Sequence, residues 1–338
     1  MHAESEGALS KSGSAAVPDS ILTFVRTHAH FLVAGHVEPD GDCLSSQIAC
    51  AELLRALGKS ASLLSAGPFD RPEIAQFEPL FLKSAPPDLL RAPDTAAVVL
   101  DCSSFDRLGP VASQLQGLPC MVIDHHAAGA HFGDARYVVP SSPATAALVF
   151  SLYQAFGVTP SAEQARLLFF GLASDSGFFR FIRQDAGDVL RLAACLADLG
   201  AAPAEVFTQI YGGQSLENRR QLARMVNTCR SHLDGRILVA SLTWAERTDA
   251  RRYRKSDDDL YHLLQTVSGN EVVALIKEER SGFFSVGLRS ARLDVGTVAR
   301  SLGGGGHQCA SGFDATGDLG TIENQLVAVL TPLVASLR

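Results

Sequence analysis

The sequence predicts an α/β fold: an N-terminal doubly wound, mainly parallel sheet and a smaller C-terminal α+β domain. Three observations support this. Short apolar segments alternate with helical patterns through the first half of the chain, as in parallel βαβ units. Strand-like segments resume near Arg236, after a more charged helical stretch. With 338 residues, the chain is also long for a single hydrophobic core.

The elements of the first half follow from their residue patterns. Four apolar segments predict strands: Phe31–Gly35, Ala61–Ser65, Ala96–Leu100 and Cys120–Ile123. From Leu44 to Leu57 apolar residues recur at helical spacing, and Gly58 ends the pattern. Two further helices are predicted at Pro143–Phe156 and Ser161–Ala173.

The second half has a different pattern. Residues 185–234 are helical and interrupted by glycine and proline, which indicates a connector. Beyond it we predict strands at Arg236–Leu242, Glu271–Lys277 and Phe283–Leu288, and helices at Asp294–Leu302 and Leu319–Leu337. The predicted domain organisation is a disordered leader at 1–18, a first domain at 19–184, the connector at 185–234 and a second domain at 235–338.

Composition excludes several function classes. The net charge of -7 disfavours binding of long duplex nucleic acid, because such binding normally requires a broad basic surface. No apolar run approaches the roughly 20 residues needed to cross a bilayer, so we expect no membrane partner. The seven cysteines are odd in number and lack paired spacing, which is typical of reduced thiols in a cytoplasmic protein.

Metal-capable side chains follow several of the apolar segments. They are His36, Asp40, Asp42, Asp101, Asp124, His125, His126 and Asp175. In an open α/β sheet the ligand site lies beyond the carboxyl ends of the strands, so these groups are expected to converge. Carboxylates with imidazoles suit Mn²⁺ or Mg²⁺ better than structural zinc. Two divalent ions can be held if one carboxylate bridges them, and Asp101, alone at its strand end, is the natural bridge.

Each of these residues has a structural alternative when taken singly. Asp101 and Asp175 could be helix caps or turn residues. His36 could be a hydrogen-bonded structural histidine. Because all of them end consecutive elements of the same kind of sheet, the metal interpretation is favoured for the set.

A second feature is the run from Gly303 to Gly306, followed by His307. Glycine carries an entropy cost in helices and strands, so the run is expected to be neither. Its backbone N–H groups could approach an anion closely. The alternative is a flexible loop.

The polar residues resemble the motifs of a known family, the DHH phosphoesterases. The matching motifs are His36-x-x-x-Asp40-x-Asp42, the isolated Asp101, Asp124-His125-His126 and Asp175-Ser-Gly. The resemblance implies one manganese ion at His36, Asp40 and Asp101, and a second at Asp42, Asp101, His125 and Asp175. It also implies that His126 faces the substrate phosphate and acts with Asp101 in catalysis. Ser45 departs from the family, which usually has glycine there.

The glycine run resembles the signature of the companion DHHA1 domain. The segment from Gly305 through His307 to Gly312 matches Gly-Gly-His-x-x-Ala-x-Gly, and Arg289-Ser290 matches a strand-end Arg-Ser. The substrate-binding residues implied by resemblance are Arg107, Arg289, Ser290, Gly304, Gly305, Gly306 and His307. The active site is then expected in the cleft between the two domains.

A short chain with these two domains most resembles the family branch of bifunctional oligoribonucleases and 3'-phosphoadenosine 5'-phosphate (pAp) phosphatases. This implies two-metal hydrolysis of short single-stranded RNA, of pAp to AMP, or of both. The alternatives are a phosphodiesterase for linear dinucleotides such as pApA, and a non-catalytic nucleotide-binding module on the same fold. The second domain argues against pyrophosphate as the substrate. A homodimer is a further expectation.

Overall fold

The computed structural model describes residues 16–126, 129–182, 186–246, 254–306 and 308–337. Residues 1–15 of the leader predicted at 1–18, and the predicted substrate-binding residue His307, lie outside these ranges. The chain divides into two compact units between Gly213 and Gln214, within the segment predicted as a connector.

The first unit contains a parallel sheet, which has five strands among the residues described. The strands are β1 (His30–Ala34), β2 (Ser60–Leu64), β3 (Thr95–Leu100), β4 (Cys120–Asp124) and β5 (Ala135–Val138). Their order is β2-β1-β3-β4-β5, and each neighbouring pair is parallel. In this order the crevice for a ligand lies at the carboxyl ends of β1 and β3. The α/β prediction is confirmed, and the short strand β5 is an addition to it.

Helices cover the strands of this sheet. They are α1 (Asp19–Thr27), α2 (Gly41–Ala56), α3 (Pro87–Arg91), α4 (Ala112–Leu115), α5 (Thr145–Ala155), α6 (Ala162–Asp175), α7 (Gly187–Asp198) and α8 (Pro203–Tyr211). Two 3₁₀ helices span Ala75–Leu80 and Phe105–Val111. Helix α2 begins earlier than predicted, because Asp40 caps it by accepting a hydrogen bond of 3.0 Å from the backbone N–H of Cys43.

The central strands are buried on both faces. In β1, Phe31 and Val33 pack in one hydrophobic cluster, while Leu32 and Ala34 pack in another on the opposite face. This alternation explains why the parallel strands read as continuous apolar segments in the sequence.

The second unit contains a mixed sheet, with six strands in the described part of the chain. In spatial order they are β10 (Gly305–Gly306), β11 (Ala310–Thr316), β9 (Phe283–Arg289), β8 (Val272–Arg280), β7 (Ile237–Leu242) and β6 (Arg230–His232). The pair β7 and β8 is parallel, and the other neighbours are antiparallel. Helices α11 (Val295–Ser301) and α12 (Leu319–Ala335) contribute to the core on one face. Helices α9 (Leu216–Asn227) and α10 (Arg254–Gln265) contribute to the other.

The expectation that the glycine run forms neither helix nor strand is wrong for Gly305 and Gly306, which form the short strand β10. Gly305 and Gly306 pair in antiparallel register with Gly312 and Ser311. A Cβ atom on Gly306 would lie 2.6 Å from the Cα of Ser311, so the two backbones approach more closely than side chains allow. Glycine is therefore used here for close strand pairing.

Among the helices described, none is both long and apolar enough to cross a membrane.

Candidate metal centre

The predicted metal ligands come together at the carboxyl edge of the first unit's sheet. His36 follows β1, Asp101 follows β3 and His125 follows β4. Asp42 lies in the first turn of α2, and Asp175 is the last residue of α6. The site therefore lies where the strand order predicts a ligand crevice.

His36 is oriented for metal binding by its own loop. Its Nδ1 lies 2.8 Å from the carbonyl oxygen of Val37. Because a carbonyl only accepts hydrogen bonds, Nδ1 carries the hydrogen, and in the neutral ring the lone pair is then on Nε2. That Nε2 atom lies 3.6 Å from Asp101 and 4.0 Å from Asp40.

Asp101 is the central carboxylate of the cluster. One oxygen lies 3.6 Å from Nε2 of His36, and the other lies 3.5 Å from Nε2 of His125. The hydroxyl of Thr145 also donates to it, at 3.1 Å. The residue is 2% exposed and has a left-handed φ of 54°, a conformation that asparagine and aspartate tolerate better than most residues.

A second group of ligand atoms surrounds His125. Its Nε2 lies 3.5 Å from Asp175, and ligand atoms of Asp42, His125 and Asp175 all lie within 4.8 Å of one another. Its Nδ1 lies 3.3 Å from the carbonyl oxygen of Ser142, which again directs Nε2 to the carboxylates. Asp101 lies close to Nε2 of both His36 and His125, so it is placed between the ligand atoms around His36 and those around His125.

Asp42 is held by the N-terminus of α5. Its carboxylate accepts hydrogen bonds from the backbone N–H groups of Thr145 at 2.7 Å and Ala146 at 3.0 Å, and from the hydroxyl of Ser46 at 3.1 Å. Helix α5 has no side-chain cap of its own from Ala144. Asp42 therefore satisfies the unpaired N–H groups of a helix about a hundred residues later in the chain.

Two residues of the site were not assigned a role from the sequence. Asp124 ends β4, and its Oδ1 accepts hydrogen bonds from the backbone N–H of His125 and of His126 and lies 2.7 Å from Nδ1 of His126. Thr145 bonds both Asp42 and Asp101. The sequence marks Asp124 as metal-capable through its place directly before two histidines, whereas Thr145 gives no comparable signal in the sequence.

The electrostatics of the cluster reflect carboxylates crowded together out of water. Burial, followed by the charges of Asp101 and Asp175, raises the pKa of Asp42 well above its ordinary value. Burial raises the pKa of Asp175 to about 6. Burial acts the same way on Asp101, but the hydrogen bond from His36 and the charges of His36, His125 and His126 together outweigh it and lower the pKa of that carboxyl.

These residues fit divalent cations. A buried carboxylate such as Asp42, 1% exposed, is costly to ionise without a nearby positive charge, and a cation would supply one. Cys43 also lies near His36 and Asp101, but burial raises the pKa of its thiol well above the ordinary value. Because the thiolate is the ligand form, the oxygen and imidazole donors suit Mn²⁺ or Mg²⁺.

The predicted substrate-binding residues are dispersed over both units. Arg107 is exposed, and its backbone carbonyl accepts a hydrogen bond of 2.8 Å from Val37. Arg289 ends β9 with its guanidinium 4.5 Å from the ring centroid of Tyr261. Ser290 is buried, and its hydroxyl accepts hydrogen bonds from the backbone N–H groups of Arg292 and Leu293 at 3.1 and 2.9 Å. This bonding gives Ser290 a structural role in the loop that follows β9.

The second unit presents Gly305 and Gly306 on the short edge strand β10, directly after Gly304. Gly305 and Gly306 are exposed, and a Cβ on Gly305 would meet no atom within 4 Å. A ligand could therefore approach the backbone at Gly305 closely.

Comparison with known proteins gives a consistent result. The N-terminal domain model of the DHH family matches residues 30–172, and the DHHA1 domain model matches residues 234–331. The bifunctional oligoribonuclease and PAP phosphatase NrnA of Thermus thermophilus is 31% identical over 286 residues, covering 84% of each chain.

Solved structures show the same fold. An exopolyphosphatase-related protein of Bacteroides fragilis superposes with a TM-score of 0.80 at 19% identity, over 94% of this chain and 97% of that one. RecJ of Thermus thermophilus in complex with Mn²⁺ gives a TM-score of 0.53 at 16% identity, over 97% of this chain and 56% of that one. The chain therefore belongs to the DHH family and carries a DHHA1 domain as its second domain.

Proposed function

We propose that the protein is a metal-dependent phosphoesterase that hydrolyses short oligoribonucleotides, pAp, or both. One observation carries the proposal: the two oxygens of Asp101 lie 3.6 Å and 3.5 Å from the Nε2 atoms of His36 and His125. A carboxylate in this position can be shared by two cations. The Thermus thermophilus relative, named for both activities, supports this choice of substrates.

The proposed division of the ligands between two divalent ions follows the family resemblance. His36, Asp40 and Asp101 would hold one, and Asp42, Asp101, His125 and Asp175 the other. Two such ions would supply Lewis-acid stabilisation of a phosphate ester and activation of the attacking water. Mn²⁺ is the proposed metal, with Mg²⁺ as the alternative, because hard oxygen ligands with a few imidazoles suit both.

His126 is the proposed phosphate-facing residue. Its Nδ1 is engaged by Asp124 at 2.7 Å, which leaves Nε2 as the atom available to a substrate. The hydrogen bond to Asp124 raises the pKa of His126, so its protonated form, with Nε2–H as donor, is favoured. That donor would stabilise negative charge on a phosphate oxygen as it develops.

Arg289 and the exposed glycine backbone of β10 are the proposed contacts for the remainder of the substrate. Arg289 is held against the ring of Tyr261, so its guanidinium is positioned before any ligand binds. A planar guanidinium binds phosphate through paired hydrogen bonds. We include Arg107 and His307 in the same role from the family resemblance. A cytoplasmic location and a homodimer complete the proposal, and the seven unpaired cysteines support the former.

The test is incubation of purified protein and Mn²⁺ with a di- or triribonucleotide, with pAp and with pyrophosphate. We expect release of mononucleotides or of inorganic phosphate from the first two, and no turnover when the metal is chelated. Turnover of pyrophosphate alone would overturn the choice of substrate. Metal-independent turnover would overturn the role of the cluster.

A further inference from the structure

A pocket of about 380 Å³ adjoins the candidate metal centre within the first unit. It lies between the loop after β3, the end of β4 and strand β5. We call it the β4–β5 pocket, defined by Ser103, Asp124, His126, Phe132, Arg136 and Val138. None of its lining residues is a proposed metal ligand, and none belongs to the second unit.

The β4–β5 pocket and the metal cluster share one wall. His126 lines the pocket, while its Nδ1 lies 3.7 Å from an oxygen of Asp101. The imidazole side chain is 37% exposed. A phosphate ester bound at His126 can therefore extend one of its substituents directly into the pocket.

The β4–β5 pocket offers a cation for an anionic ligand. Arg136 donates one hydrogen bond of 2.8 Å to the carbonyl oxygen of Phe132, which uses one of its five N–H groups. Over the described part of the chain, no carboxylate oxygen lies within 4.0 Å of this guanidinium. Asp124 also lines the pocket, but its Oδ1 interacts with Nδ1 of His126 and not with Arg136.

The remainder of the lining is apolar. Phe132 and Val138 line the pocket, and the ring of Phe132 is fixed by an edge contact to Phe105, with centroids 5.7 Å apart. Small-ligand sites typically have about 300–1,000 Å³ and combine apolar walls with a few polar groups. One fixed aromatic ring, one cation and this volume suit a nucleoside with an attached phosphate.

We propose that the β4–β5 pocket binds the second nucleoside of a phosphodiester, the one that a phosphate monoester lacks. This rests on the proposed function and deepens it. The base would contact Phe132, and Arg136 would contact the next phosphate along the strand. Since pAp carries a single nucleoside, its hydrolysis needs no ligand in this pocket. The pocket therefore separates oligoribonucleotide hydrolysis from monoester hydrolysis at one metal centre.

The experiment compares kcat and KM of the full chain with Mn²⁺ on a 5'-phosphorylated triribonucleotide and on pAp. Arg136→Gln should raise KM for the triribonucleotide about tenfold, since a hydrogen-bonded ion pair is lost, and should leave KM for pAp unchanged. Arg136→Lys should recover part of the loss. Phe132→Leu tests the base contact independently. Arg91→Gln is the matched control. This exposed arginine ends α3, just before the first residue of β3, and so lies at the end of the sheet away from the metal centre.

The outcomes distinguish the two proposals. An unchanged KM on both substrates, or an equal rise on both, would overturn the pocket as the second nucleoside's site. The KM for pAp also reports whether each variant is correctly folded, and a thermal melt checks this independently of activity. If the unaltered protein hydrolyses neither substrate, the proposed function fails, and the pocket assignment that rests on it fails too.

Discussion

Oδ1 of Asp124 lies 2.7 Å from Nδ1 of His126, so a buried carboxylate orients the half-buried imidazole beside the metal cluster. The same oxygen bonds the backbone N–H groups of His125 and His126, which shapes the loop after β4. Asp124 therefore acts through its neighbours and is a positioning residue. Its contribution can be separated from that of the metal ligands.

Asp124→Asn keeps an oxygen acceptor but removes the charge. We expect kcat to fall about 10- to 100-fold, as for other residues that orient an active-site imidazole, with Mn²⁺ affinity nearly unchanged. The pKa of His126 should also drop, because its hydrogen bond to Asp124 raises it. The measurements are kcat against pH and Mn²⁺ binding by calorimetry. Asp134→Asn is the control, since that carboxylate bonds the backbone of Cys120 instead. Equal losses in both variants would argue against a positioning role.

Asp101→Asn should abolish activity and leave the fold intact. Asparagine tolerates the left-handed backbone at this position, so the substitution removes charge without adding backbone strain. We expect kcat/KM to fall by about 10³-fold or more, because the anion shared by two cations is lost. Circular dichroism should be unchanged, and titration should show loss of at least one Mn²⁺ equivalent. Retention of full Mn²⁺ stoichiometry would contradict the bridging role.

Gly171 lets α6 approach the metal site. A Cβ atom there would lie 2.5 Å from the hydroxyl of Ser45 and 2.8 Å from both Ala146 and an oxygen of Asp42. Gly171→Ala should therefore lower the free energy of unfolding by about 1–3 kcal/mol, outweighing the roughly 0.5–1 kcal/mol that alanine gains in a helix. Urea unfolding measures the change, and Mn²⁺ affinity should fall with it.

Two matched variants test this explanation. Gly187→Ala on α7, where the nearest atom would be 3.7 Å away, should not destabilise the protein. Adding Ser45→Gly to Gly171→Ala should recover part of the loss, because the nearest overlapping atom is removed. The packing also shows that Gly171 leaves the space that the side chain of Ser45 occupies.

Mn²⁺ should stabilise the protein more at about pH 7.5 than at about pH 5. In the metal-free fold the pKa of Asp175 is raised from 3.8 to about 6. Between those values the folded state holds a proton that the unfolded state has lost, so rising pH lowers stability. The raised pKa of His126 acts in the same direction. Thermal melts with and without Mn²⁺ across this range measure the effect. A metal-free protein that becomes more stable as pH rises would contradict the crowded-carboxylate account.

The sequence by itself determined the elements that carry the metal ligands and the order in which they occur. His36, Asp101 and His125 each follow an apolar segment, and parallel strands bring their carboxyl ends to one edge of a sheet. The local apolar pattern was sufficient to predict where these ligands lie, because each of them is positioned by the strand directly before it. The edge strand β5 and the glycine strand β10 lack such periodicity, and their pairing partners decided their structure.

Only the tertiary structure decided how the ligands are held. The bond between Asp42 and the N-terminus of α5 joins residues 103 positions apart. The β4–β5 pocket depends on Arg136 and His126 lying on neighbouring elements. Such relationships arise when helices and strands pack, and no pattern within a segment of sequence specifies which distant backbone groups will meet. The chemistry could therefore be predicted from residue types at strand ends, while its positioning and its adjoining subsite could not.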